Sequence, residues 1–176
     1  KKGKSTILSK LSQEEPKIVY SQFTTVHPHV GIMIEVPSAA LMADVFAPHV
    51  DFFSVGTNDL TQYTLATDRG HSELAADVDG LDPAVLKLIH MTCQAAKKQN
   101  IWTGVCGGIA SDLKAIPVLL GLGVDELSLS MPSIPIVKET VRQLSVSECE
   151  EHVDTFLNAS SAKEVRALVS GLWPSI

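Results

Sequence analysis

The chain has 176 residues, 45% of them hydrophobic and 19% charged, with a formal net charge of -6 from 20 acidic and 14 basic side chains. That length and balance describe about one globular domain and exclude an intrinsically disordered chain. The acidic balance argues against a nucleic-acid partner, and no apolar run approaches the ~20 residues that a membrane-spanning helix needs.

The chain opens on Lys1 and a polar stretch with no apolar signal-peptide core, which reads as a fragment of a longer or processed cytoplasmic protein. Residues 1–29 carry no recognisable chemistry; 17–23 alternates enough to make a short strand. From residue 30 the pattern becomes regular. The apolar run 30–34 predicts a strand ending in Glu35. Pro37 then opens a helix over 39–47, proline being tolerated in a first turn. A second strand is expected over 50–55, followed by Gly56-Thr57-Asn58-Asp59 and a short helix over 60–67.

Asp82-Pro83 has the form of an N-cap and first helical residue, and Val85, Leu86, Ile89, Cys93 and Ala96 recur at helical spacing, so a helix is expected to about residue 99. The segment 101–105 reads as a third strand running into Cys106-Gly107-Gly108. Ser111-Asp112 caps a further helix that Gly121 and Gly123 close. The segment 127–130 reads as a fourth strand, and helices are expected over 133–144, 146–159 and 162–172. Strands that alternate with helices in this way predict an α/β fold with parallel strands, because parallel neighbours need long crossovers.

Reactive groups stand at successive strand ends: Glu35 after the first, Asn58 and Asp59 after the second, Cys106 after the third, Ser130 after the fourth. In an α/β barrel that end carries the active site. Glu35 and Asp59 suit a shared hard cation such as Mg²⁺, which takes one or two carboxylates and fills its remaining positions with water and substrate oxygens. Two alternatives stand beside this: general acid-base work by the pair, or a purely structural role in which Asp59 caps its helix and Glu35 meets a surface cation.

Arg69 suits a carboxylate or phosphate, since its planar fork makes two parallel hydrogen bonds, but a surface ion pair with Asp68 or Asp77 explains it equally well. Cys106, between glycines that let a ligand approach the backbone, suits a nucleophile, an acid or a small core residue. Cys93 and Cys149 read as structural. The three cysteines form no disulfide framework or metal pair, and the six histidines match no metal motif.

The segments 31–37, 51–64, 68–70, 104–107 and 120–128, which include Gly31-Ile32-Met33-Ile34-Glu35, Val55-Gly56-Thr57-Asn58-Asp59 and Asp68-Arg69-Gly70, resemble the phosphoenolpyruvate-binding domain of enzyme I of the bacterial phosphoenolpyruvate:sugar phosphotransferase system. The resemblance runs in order through residues 30–144. It implies the C-terminal half of a phosphoenolpyruvate-binding (β/α)8 TIM barrel, about four parallel strands alternating with helices, over 30–145, with an unassigned segment at 1–29 and a helical tail at 146–176. It implies Mg²⁺ at Glu35 and Asp59, phosphoenolpyruvate held by Asn58 and Arg69, and Cys106 handling the proton at the methylene carbon as pyruvate forms.

By the same resemblance the partner is a histidine-bearing phosphocarrier domain outside this chain; a homodimer is also expected, since a half-barrel leaves two open sheet edges. No match to the family's phosphohistidine motif occurs here, so the isolated chain is expected to be inactive. Gly108 stands where many relatives have Glu, a form that resembles the enzyme I modules of multiphosphoryl transfer proteins. Pyruvate phosphate dikinase and phosphoenolpyruvate synthase share the barrel motifs, but Asp68-Arg69-Gly70 favours enzyme I. An inert dimerisation module is the reading from a different class. A half-barrel would also expose one face of its sheet, and Ile32, Ile34, Phe53, Val55, Leu127 and Leu129 are expected to contribute to that apolar surface and drive self-association.

Overall fold

A computed structural model describes residues 29–68 and 78–176. The strand expected over 17–23 lies outside the described residues, as does Arg69. Four parallel strands form one sheet in the order of the chain: β1 (Gly31–Ile34), β2 (Phe52–Gly56), β3 (Trp102–Cys106) and β4 (Glu126–Ser128). Each strand pairs with the next after a helical crossover, the repeating step of an α/β barrel.

The crossovers differ from the simple helices read in the sequence. Between β1 and β2 the chain forms α1 (Pro37–Leu41), α2 (Ala43–Phe46) and a 3-10 turn at Ala47–His49, where Pro48 withholds an amide from a continued helix. After β2 comes α3 (Thr57–Leu65), which begins directly on the strand's last residue. The long helix α4 (Pro83–Gln99) has Asp82 as its N-cap, accepting from the Ala84 amide, and ends at Asn100 in the left-handed conformation. It packs on β2 and β3.

After β3, two 3-10 turns at Gly108–Ser111 and Leu113–Ala115 precede α5 (Ile116–Leu122), so Asp112 caps the second turn rather than a long helix. Beyond β4 a 3-10 turn at Met131–Ser133 leads to α6 (Ile134–Gln143). The tail forms α7 (Val146–Glu151), α8 (Val153–Leu157) and α9 (Ala162–Leu172).

Side chains on a strand alternate between faces. Ile34, Phe53, Val55 and Val105 are fully buried on the face covered by helices, where they meet Leu81, Val85, Leu86 and Ile89. Ile32 and Leu127 pack against the same core. This corrects the expectation that Ile32, Ile34, Phe53, Val55 and Leu127 line an exposed face. Full burial of a side chain such as Ile34, Phe53 or Val55 contributes about 1.5–3 kcal/mol.

The opposite face carries Gly31, Met33, Phe52, Ser54, Trp102, Gly104, Cys106, Glu126 and Ser128. There the Phe52 and Trp102 rings stack at 4.4 Å, with Gly31 leaving room for Phe52. The tail helices join the helix-side core through Cys149, Phe156, Val165, Val169 and Trp173. Gly121 allows α5 and α7 to touch, because a Cβ there would lie 2.5 Å from the Cys149 carbonyl oxygen. No helix among the described residues is long and apolar enough to cross a membrane.

Candidate active site

The register aligns the strand ends. Gly56 pairs with Cys106, and Cys106 with Ser128. Glu35 leaves β1 one residue after Ile34, which pairs with Val55, so its carboxylate reaches across the end of β2. Gly56 makes that crossing feasible: a Cβ there would lie 2.7 Å from Glu35 Cγ and 2.8 Å from its Oε1. Asp59 stands in the first turn of α3, where the positive end of the helix dipole favours a carboxylate. It is not the helix N-cap. Gly56 holds that position and no side chain caps the helix.

Cys106 ends β3, directly beside Gly56 at the end of β2. Burial pushes its thiol above the ordinary range, the negative charge of Glu35 pushes it further, the Ser54 hydroxyl bonding to it pulls it back, and Asp59 adds a smaller push upward. Both carboxylates therefore act on one sulfur. The thiol also borders a groove of about 280 Å³ on the open face of the sheet, beside Met33, Ser54, Glu126 and Ser128.

The loop after Cys106 is tied to the loop after β2. The Thr57 hydroxyl donates to the Cys106 carbonyl at 2.6 Å, and the Gly108 amide donates to Asn58 Oδ1 at 3.0 Å. Gly107 sits at φ +104°, a conformation favouring glycine, and a Cβ there would lie 2.5 Å from Thr57 Oγ1. Asn58, Thr57, Thr61 and Gly108 border a cleft of about 460 Å³.

Glu35, Asn58, Asp59 and Cys106 are thus gathered at the C-terminal ends of β1, β2 and β3. Arg69 lies outside the described residues. Ser130 does not belong to the group: β4 ends at Ser128, and the Ser130 hydroxyl bonds that of Ser133. The residues that sequence reading passed over are Ser54, Gly56 and Thr57. A signal for Ser54 was present, since a lone hydroxyl two residues before Gly56 in an apolar strand must share the face of Gly56.

No group of three or more His, Cys, Asp or Glu among the described residues is placed to hold a metal ion. Glu35 and Asp59 supply hard oxygen donors of the kind that Mg²⁺ takes, one or two per ion with water and ligand completing the shell.

The three cysteines differ in reactivity. Burial pushes Cys93 up to about 12 and, with help from Glu148 and Glu150, Cys149 up to about 11. Both are buried, whereas Cys106 is partly open. Iodoacetamide is therefore expected to label Cys106 first. Peptide mapping of partially alkylated protein checks the order, and prior labelling of Cys93 would show Cys106 to be inert.

Consecutive parallel strands wrapped by helices, with polar groups collected at the carboxyl ends, define a barrel-type α/β domain of the kind that carries its site on the βα loops. The chain belongs to the PEP-utilising enzyme family, matching its PEP-binding domain over residues 6–146. It is 52% identical over 139 residues to a multiphosphoryl transfer protein of Xanthomonas campestris pv. campestris, covering 79% of this chain and 17% of that protein. It is 51% identical over 136 residues to a phosphoenolpyruvate-protein phosphotransferase of Priestia megaterium, covering 77% of this chain and 24% of that one. The corresponding enzyme of Bacillus subtilis is 43% identical over 159 residues, covering 90% and 28%. The chain thus spans about a quarter or less of the length of most of these relatives.

Proposed function

We propose that this chain is the phosphoenolpyruvate-binding part of a cytoplasmic phosphoenolpyruvate-protein phosphotransferase, which passes the phosphoryl group of phosphoenolpyruvate to a protein histidine outside the chain. The observation that supports the reading is that Glu35, Asp59 and Cys106 stand at or just past the C-terminal ends of three adjacent parallel strands, with the charges of both carboxylates raising the Cys106 thiol. A domain that converts an enol phosphate to a keto acid uses both a place for a hard cation and a proton donor for carbon.

In this reading Glu35 and Asp59 would hold Mg²⁺, which would neutralise phosphoryl charge and orient the group for in-line transfer. Asn58 offers its amide N–H groups to a ligand oxygen while its Oδ1 anchors Gly108. Arg69 supplies a cation for the phosphate or carboxylate. Once the phosphoryl group has gone to the acceptor histidine, the enolpyruvate carbon takes the proton of Cys106. The carbon–carbon π pair forms the new C–H bond, the enol oxygen becomes the ketone of pyruvate, and the thiolate recovers a proton from water. The raised thiol suits this role because it keeps the donor loaded at neutral pH.

Titration of phosphoenolpyruvate into the full-length protein tests the reading. Binding is expected with Mg²⁺ and is expected to weaken strongly in chelator; equal binding in both would remove the metal from Glu35 and Asp59. The full-length protein is further proposed to be a homodimer. Light scattering at low micromolar concentration is expected to give twice the chain mass, and a strictly monomeric species would overturn that.

A further inference from the structure

The C-terminal helix reaches the candidate site through one side chain. Arg166 of α9 donates from Nε to Asp79 Oδ2 at 2.6 Å and from Nη2 to Asp79 Oδ1 at 2.9 Å, and the same Nη2 lies 2.7 Å from Asp112 Oδ2. The three side chains are between a quarter and a third exposed, and all three border the cleft that Asn58 and Gly108 line. Both carboxylates have structural tasks of their own. Asp79 accepts from the Leu81 amide at 3.0 Å, just before the cap of α4, and Asp112 accepts from the Lys114 amide at 3.1 Å.

The connection from Asp112 back to the site is short. The Asp112 amide donates to the Ile109 carbonyl, and the Ala110 amide to the Gly107 carbonyl, so residues 107–112 form a continuous pair of turns. Their first residues carry the Gly108 amide that holds Asn58. Without Arg166, two carboxylates would face each other across the cleft with no cation between them, and the 107–112 turns would meet the entrance of α4 only through apolar packing such as that of Ile109 beside Gly80. Burial alone would raise the Asp79 carboxyl, but the hydrogen bonds from Arg166 and Leu81 and the charge of Arg166 outweigh it and hold the group below its usual range.

We infer that Arg166 is a positioning residue: from the tail helix it clamps the loop after β3 to the loop entering α4, and through Gly108 it fixes Asn58 for ligand binding. The inference rests on the proposed function for the identity of the ligand, but the clamp itself does not. Cys106 is held by the β2 and β3 ladder, independently of Arg166. Loss of the clamp therefore affects binding rather than proton delivery. Lysine at this position would keep the charge and lose the bidentate fork.

The experiment compares Arg166→Gln and Arg166→Lys with the unmodified full-length protein. Hydrogen exchange of the peptide spanning residues 107–112 is expected to accelerate in Arg166→Gln, with that of the β2 and β3 peptides unchanged. The KM for phosphoenolpyruvate is expected to rise about tenfold with little change in kcat, and Arg166→Lys is expected to fall between the two. A lower melting temperature alone, with exchange at 107–112 and KM both unchanged, would make Arg166 a mere structural staple and overturn the inference. Equal loss of kcat and kcat/KM would also overturn it, since it would place the effect on the proton donor. If the unmodified protein shows no turnover with phosphoenolpyruvate, the functional reading fails, and the exchange of 107–112 still decides whether Arg166 clamps the loop.

Discussion

Cys106→Ala in the full-length protein is expected to cut pyruvate release by about 10²–10⁴-fold, the range that a positioned proton donor contributes. Binding of phosphoenolpyruvate is expected to be nearly unchanged, because the proton is required only after the phosphoryl group departs. Alanine fits the site without clash, and the backbone carbonyl that accepts from Thr57 is retained, so the loop geometry survives. Steady-state pyruvate production and a binding titration on the same preparation check the split. A variant with normal turnover would show that Cys106 is not the acid. The 176-residue chain by itself is expected to release no pyruvate above its own Cys106→Ala control, since it contains no match to the acceptor-histidine motif of enzyme I.

Asp59→Asn is expected to remove most turnover, by about 10²–10³-fold, on the scale of several kcal/mol of transition-state charge stabilisation supplied through a metal. Asparagine is nearly isosteric and keeps one oxygen donor, so the fold of α3 is retained and the charge is the main loss. Because the Asp59 charge also raises the Cys106 thiol, the variant should label slightly faster with iodoacetamide at alkaline pH. That provides a check on geometry that does not depend on turnover. The Mg²⁺ concentration needed for half-maximal rate is expected to rise, and a normal rate at normal Mg²⁺ would remove Asp59 from the metal site.

Much of the site was legible because its residues sit at strand ends. Apolar runs at 30–34, 50–55 and 101–105 mark strands, and whatever follows such a run in a parallel sheet comes out at one edge of the sheet. Glu35, Asn58, Asp59 and Cys106 were found by that rule. The helix at Pro83–Gln99 was equally plain, since Asp82-Pro83 starts it and a 3.6-residue apolar stripe runs through it. The breaks in the first crossover were harder to read, because Pro48 interrupts an otherwise helical pattern only locally.

The sequence by itself determined the alternation of strands and helices, the order in which polar groups reach the strand ends, and the family. It did so because period, capping and strand-end chemistry are local properties. Tertiary structure decided which face of the sheet the helices cover. The segment Val50-Asp51-Phe52-Phe53-Ser54-Val55 places large side chains on both faces, and only the packing shows that Phe53 and Val55 face the helix-side core while Phe52 is covered on the other face by Trp102. Tertiary structure alone also brought Arg166 to Asp79 across 87 residues of chain. No local pattern records such a contact, because an ion pair between distant helices and loops depends on how whole layers dock, and that is set by the shared core beneath them.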